Sequence, residues 1–257
     1  MIQGILQARA SSRRLPGKVL KPLLGRPMLE RQIERLGRAR RLDRLTVATS
    51  TDASDDAIAA LCASLGVDCF RGSLDDVLDR FYRAALAARP TTVLRLTGDC
   101  PLTDPAVIDA LIDLHCCGNF DYSSNAQTRT YPDGLDVEAM QFACLEAAWR
   151  ESTLPSEREH VTPFIYRHPE RFRLGGLTQS PDLSHLRWVV DDPQDFDFVT
   201  AIYEALYPTK PDFASADILD LLARRPDIAA RMGGAATNEG YARSLAEDAA
   251  FLAKGTR

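Results

Sequence analysis

The sequence predicts an α/β protein: a mostly parallel sheet flanked by helices, carrying one irregular β/α subregion. Three observations predict it. Short apolar runs of strand length alternate with stretches whose apolar residues recur at helical spacing. That alternation persists through the first 118 residues, and strands separated by helices favour parallel pairing. Beyond residue 118 the alternation gives way to turn-rich chain before helical periodicity returns. The 257 residues suit one large α/β domain, and no repeat, low-complexity segment or long linker divides them. The expected organisation is therefore a single domain over 1–257, with segments 1–118, 119–208 and 209–257.

The elements follow in order. Strand runs fall at 2–7, 44–49 (RLTVAT), 67–70 (VDCF) and 92–97 (TVLRLT). Between them, Leu29, Ile33 and Leu36 share one helical face, with Pro27 suited to the first turn. Ile58, Leu61 and Leu65 form a second face; Leu74, Val77, Leu78, Phe81, Ala85 and Leu86 form a third. "NFDYSSNAQTRTYPDGLDVEAM" reads as irregular chain with short strands, turned at Pro132-Asp133-Gly134. Helices are expected at 141–151 and 157–167 and strands at 172–178 and 186–191. Further helices should cover 193–206, 215–224 and 238–254.

Composition narrows the function. A formal net charge of -5 and a pI near 5.5 speak against general nucleic-acid affinity. No run of about 18 apolar residues could cross a bilayer, and Arg9 interrupts the first apolar run too early for a signal peptide. Six cysteines form no CxxC pair or zinc-like spacing. The expectation is a cytoplasmic enzyme that binds neither nucleic acid nor membrane.

Against that acidic background, "QARASSRRLPGKVL" at 7–20 gathers Arg9, Arg13, Arg14 and Lys18 just after the first strand. Ligands of open α/β sheets bind beyond the carboxyl ends of the strands, and arginine forks and a lysine suit phosphate oxygens there. Ser12 adds a hydroxyl, and Gly17 permits close backbone approach. The loop is not a Walker A motif: Val19 follows Gly17-Lys18, and no glycine lies five positions earlier. A GxGxxG fingerprint is also absent. Two carboxylates, Asp99 and Asp191, end the apolar runs "VLRLTGD" and "LRWVVDD". Asp192-Pro193 reads as a helix start, so Asp192 is expected to be the cap and Asp195 to support the first turn.

The loop continues in order through "ATSTDASDDAI", "FRGSLDDVLDRFYRA", "LRLTGDCPLTDP", "DYSSN", "RTYPDGLDVE", "REHVTPFI" and "VVDDPQDF". Over roughly residues 2 to 205 this series resembles the CTP-dependent cytidylyltransferases that make CMP-sugar acids, the acylneuraminate type. It is most similar to their spore-coat polysaccharide biosynthesis branch. The resemblance implies a nucleotide-diphosphosugar transferase-like fold, a magnesium (or manganese) ion and a homodimer. It implies transfer of CMP from CTP to a small acidic acceptor, a sugar acid, with release of pyrophosphate.

Carried onto this chain, the resemblance makes 1–118 the nucleotide-binding half, 119–208 the acceptor and dimer subregion with the metal-binding strand, and 209–257 C-terminal helices. Arg9, Ser12, Arg14 and Lys18 would cradle the triphosphate, Arg71 and Gly72 would close around the nucleotide, and Asp99 and Asp191 would hold the metal. Lys18, Arg14, Asp99 and Asp191 are then the catalytic set. Arg129, Tyr131, Asp136, Arg158, Glu159 and His160 would contact the acceptor. Ser11 departs from the family's usual glycine, Arg13 is expected to face solvent, and Cys100 to be a packing residue. Two other functions share parts of the pattern: a glycosyltransferase using a nucleotide-sugar on the same fold, and CMP transfer to a phosphonate or phosphate acceptor. A non-catalytic nucleotide-binding module would have lost the loop or the carboxylates, and both are present.

Overall fold

Seven strands of a computed structural model line up in the order β5-β4-β1-β6-β8-β7-β9, over described residues 1–234 and 239–255. They are β1 (Ile2–Gln7), β4 (Arg44–Ser50), β5 (Asp68–Gly72), β6 (Thr92–Thr97), β7 (Tyr122–Ser124), β8 (Glu138–Gln141) and β9 (Leu174–Gly176). β2 (Pro22–Leu23) and β3 (Arg26–Pro27) form a separate two-stranded ribbon. β1 pairs in parallel with β4 and β6, and β4 with β5. β8 runs antiparallel to both β6 and β7, and β7 pairs in parallel with β9. The parallel majority is what the strand–helix alternation predicted.

Period-two alternation splits the core across the sheet. Leu6, Leu94 and Leu96 face a layer built from α1 (Met28–Leu36), α2 (Asp56–Leu65), α4 (Pro105–Cys117), α8 (Pro193–Leu206) and α9 (Ser215–Arg224). Ile5, Ala48 and Val93 face the other layer, from α3 (Val77–Leu86), α5 (Phe142–Glu151), α6 (Pro155–His160) and α7 (Pro163–Tyr166). α10 (Pro226–Ala229) and α11 (Glu239–Gly255) complete the described chain; α11 packs on α6. No described helix is long and apolar enough to cross a membrane.

Three expectations need correction. Residues 186–191 form no ladder strand: an isolated bridge joins Arg187 to Asp133, and the apolar run is buried without further ladder pairing, with Trp188 and Val190 fully enclosed. The helix expected at 157–167 is two short helices, because Pro163 starts α7 afresh and Val161 takes φ 73, ψ -54. Pro27 sits one residue before α1, in the ribbon, rather than in its first turn. Residue 238, where the last helix was expected to begin, lies outside the described residues.

Candidate active site

β1 and β6 are neighbours, so the loop leaving β1 and the turn leaving β6 meet at one sheet edge. In the loop, the Ala10 carbonyl accepts from Ser12 N at 2.9 Å and Gly17 N at 2.8 Å, with Gly17 in the left-handed region at φ 70. The Ala10 amide in turn donates to buried Asp55 at 2.7 Å, tying the loop to the end of β4. This closure delivers Lys18 inward, where its side chain is 9% exposed, while Arg9, Arg13 and Arg14 stay exposed.

Asp99 and Asp191 are 92 positions apart, yet the Val190 amide donates to the Asp99 carbonyl at 2.8 Å and sets their carboxylates side by side. Lys18 Nζ bridges them, 3.2 Å from Asp99 Oδ2 and 3.0 Å from Asp191 Oδ1, and also donates to the Val190 carbonyl at 2.8 Å. Arg14 reaches Asp191 Oδ2 at 2.7 Å, and Arg187 reaches the same oxygen at 3.1 Å. Burial alone would lower the Lys18 pKa, but Asp99 and Asp191 outweigh it and hold the ammonium above the usual lysine value. Burial would likewise raise Asp99, and Lys18 with the Thr97 hydroxyl holds it below the usual carboxylate range. Asp192 caps α8 by accepting from Asp195 N at 2.9 Å, and buried Asp195 pairs with Arg187 at 2.8 Å, so neither turns to the bridge.

The bridge opens onto a cleft of about 720 Å³. Arg14, both expected metal ligands Asp99 and Asp191, and half of the expected acceptor set (Arg129, Asp136 and His160) line it, whereas Arg9, Ser12 and Lys18 are not among its lining side chains. Arg129 spends its fork on Asp136, at 2.8 and 3.2 Å. Burial pushes the Asp136 carboxyl up to about 6 against the pull of Arg129. Tyr131 instead packs against the apolar core.

Arg158 and Glu159 do not join the pocket. Arg158 binds Asp76, the cap of α3, and the Trp149 carbonyl at 2.8 Å, so it fastens α6 to its neighbours. Glu159 accepts from Ser244 Oγ of α11 at 2.5 Å. Arg71 donates to the Ser50 and Asp52 carbonyls at 2.9 and 3.0 Å and pairs with Asp56; with Gly72 it lies on β5, beyond the cleft lining. Among the described residues no three His, Cys, Asp or Glu side chains cluster as a ready metal centre. Two adjoining carboxylates nevertheless suit a magnesium-type ion, which keeps water and phosphate as its other ligands.

Sequence reasoning missed the pocket floor. Arg95 pairs closely with Glu138, whose Oε1 also accepts from Tyr122 OH at 2.5 Å and Thr162 Oγ1 at 2.7 Å. An arginine inside the apolar strand run "TVLRLT" was the available signal, because such a charge needs a buried partner. Gly134 is also required here: at φ 110 its absent Cβ would stand 2.6 Å from the Trp188 and Val189 backbone. Between His160 and Thr162, buried Val161 forms a γ-turn of positive φ, closed by Thr162 N to the His160 carbonyl at 2.8 Å. A β-branched residue there is strained, and the turn sets two pocket-lining side chains on either side of it.

A basic loop and paired carboxylates at the carboxyl edge of a parallel sheet define an α/β protein of the nucleotidyltransferase kind. The chain belongs to the cytidylyltransferase family, whose model, described as "Cytidylyltransferase", matches residues 3–212. It is 34% identical over 233 residues to the spore coat polysaccharide biosynthesis protein SpsF of Bacillus subtilis (strain 168), covering 88% of this chain and 95% of that one. The solved structure of a cytidylyltransferase from Leptospira borgpetersenii superimposes with a TM-score of 0.85 at 28% identity, over 92% of this chain and 99% of that chain. A CMP:2-keto-3-deoxy-manno-octonic acid synthetase complexed with CTP shares the fold at a TM-score of 0.60 and 18% identity, over 79% and 98%.

Proposed function

We propose that this cytidylyltransferase transfers CMP from CTP to a sugar acid, with pyrophosphate as the other product and a magnesium or manganese ion as cofactor. One observation carries the reading: Lys18 bridges Asp99 and Asp191 where the basic loop opens onto the cleft. Lys18 and Arg14 rest on these carboxylates in the free chain and would exchange them for triphosphate oxygens when CTP enters. An ion held by Asp99 and Asp191 would supply Lewis-acid charge to the phosphate oxygens. The acceptor oxygen attacks the α-phosphorus and pyrophosphate leaves, so the protein contributes position and charge neutralisation instead of a covalent intermediate. Arg9 and Ser12 would complete the cradle, with Arg71 and Gly72 at the nucleotide's far side.

For the acceptor, Arg95 is the best-placed cation on the cleft floor. Its Nε is buried without a partner while another of its nitrogens holds Glu138. Arg129 and Asp136 would flank the sugar hydroxyls. The assignment also includes a homodimer working in the cytoplasm, the dimer being measurable by light scattering.

The test is pyrophosphate release from CTP and a panel of eight- and nine-carbon keto sugar acids, with magnesium and then with chelator. Release that needs one such acid and stops on chelation is the expected result. Release only with a phosphonate or phosphate acceptor, or sugar transfer from a nucleotide-sugar donor, would replace the sugar-acid reading.

A further inference from the structure

α11 lies wholly beyond residues 3–212, the part of the chain matched by the family model. It nevertheless reaches the cleft, for Tyr241 is one of the lining side chains beside His160, Thr162 and Tyr166. The helix is fastened at several points. Asp248 accepts from Ser156 N at 2.8 Å and Ser156 Oγ at 2.5 Å. Tyr241 OH accepts from Arg167 Nη2 at 2.6 Å and shares a hydrogen bond with Tyr166 OH at 3.0 Å. The Tyr241 ring also stands edge-on to the His160 imidazole, centroids 5.1 Å apart.

The contact with His160 has a chemical direction. Ser244 Oγ gives its single proton to Glu159 Oε2 at 2.5 Å. Toward His160 Nε2, 3.0 Å away, it can then offer only a lone pair. The hydrogen between them must belong to the imidazole, so Nε2 carries the proton and Nδ1 is the basic nitrogen. Nδ1 has no hydrogen-bond partner among the described residues, and His160 lines the cleft.

We propose that α11 is an acceptor-positioning element of this chain: Tyr241 walls the acceptor end of the cleft, and Ser244 fixes His160 in the tautomer that presents Nδ1 to an acceptor hydroxyl. The substrate role rests on the sugar-acid reading; the tautomer does not. Burial, then Arg95, lowers the His160 pKa to about 4, while Glu159, Glu138 and Asp248 pull the other way. The ring is therefore neutral at ordinary pH and able to accept a hydrogen bond.

The tautomer is tested first, in full-length protein with 15N-labelled histidine rings, His160 being identified by the signal lost in His160→Asn. The wild type should show Nε2 protonated and Nδ1 bare from about pH 8 down to about pH 5. Ser244→Ala should admit the other tautomer, and Ser244→Thr, which keeps the hydroxyl, should restore the first. A wild type with Nδ1 protonated, or a tautomer indifferent to Ser244→Ala, overturns the proposal whatever reaction the protein performs.

The second arm uses pyrophosphate release with the panel of keto sugar acids. Tyr241→Ala and Ser244→Ala should each raise the acceptor KM roughly tenfold, the scale of one lost hydrogen bond or contact, with the CTP KM unchanged. Tyr241→Phe, which keeps the ring wall, should lose less. Equal losses in both KM values would make α11 merely structural. A wild type that uses none of the acids refutes the sugar-acid reading, and the tautomer measurement then decides the proposal by itself.

Discussion

The two ends of the cleft handle charge in opposite ways. At the end proposed for the nucleotide, Arg14 is 40% exposed, and Asp99 and Asp191, 30% and 22% exposed, share the Lys18 ammonium, so each partner can be exchanged. At the end proposed for the acceptor, Glu138 is 6% exposed and holds Arg95, Tyr122 and Thr162 together. A buried carboxylate with three donors has no cheap alternative partner, because breaking it would leave an uncompensated charge. On the proposed assignment, the nucleotide end is built to swap counter-ions and the acceptor end to keep its shape. That division suits a reaction in which a highly charged phosphate chain enters, is cut and leaves, beside a floor that must present the acceptor in one pose.

The largest effect should come from removing the exchangeable cation. Lys18→Met should slow turnover by roughly a hundred- to a thousandfold or more, the usual loss for a donor aimed at developing phosphate charge. It should also cost about 2 kcal/mol of stability, less than a fully buried pair because Asp99 and Asp191 keep some solvent. With the ammonium gone, magnesium or manganese should raise the melting temperature of Lys18→Met more than that of the wild type. A variant that gains nothing from either ion would deny Asp99 and Asp191 the role of metal pair.

Glu138→Gln probes the fixed end. An amide cannot match Arg95 and also serve two hydroxyl donors, so stability should fall by about 3 kcal/mol. Urea unfolding reads this directly. A loss as small as that of an exposed ion pair, under about 1 kcal/mol, would erase the contrast between the two ends.

Asp136 gives that contrast a pH dependence. In the folded chain it keeps its proton up to about pH 6, against 3.8 for the free carboxyl. Its contribution to stability is therefore complete below about pH 4 and is lost as pH rises through about 6. Melting curves across that window should be flatter for Asp136→Asn, by about 1–2 kcal/mol once solvent screening is allowed for. The acceptor KM of the wild type should inflect near pH 6, where Asp136 ionises and commits the Arg129 fork, and the inflection should be missing from the variant.

The contrast also explains what could be read from the chain alone. The parallel core was legible because its strands are apolar runs separated by helical faces, and Arg14, Lys18 and Asp99 could be located because they follow those strands. Asp191 was picked out as the end of a strand that does not form: its apolar run is buried without ladder pairing, and one hydrogen bond from Val190 to Asp99 sets it beside Asp99. Arg158 and Glu159 share a motif with His160, but adjacent residues on a short helix point different ways. Only the tertiary fold shows which of them meets the cleft. Tyr241 carried no local signal at all, since its place on the wall depends on α11 docking against α6 more than 80 residues upstream.

The smallest effect tests whether neighbouring carboxylates really divide their work. Asp192 accepts from the Asp195 amide at 2.9 Å and so satisfies one of the donors that the start of α8 leaves without an intrahelical partner. Asp191, one residue earlier, faces Lys18 and Arg14 instead. Asp192→Ala should cost about 1 kcal/mol and Asp192→Asn much less, because asparagine caps nearly as well. Neither should change turnover severalfold at a temperature where the fold persists, whereas Asp191→Asn should all but abolish it. Turnover falling as far in Asp192→Asn as in Asp191→Asn would mean that both carboxylates serve the reaction, and that the nucleotide end extends into the first turn of α8.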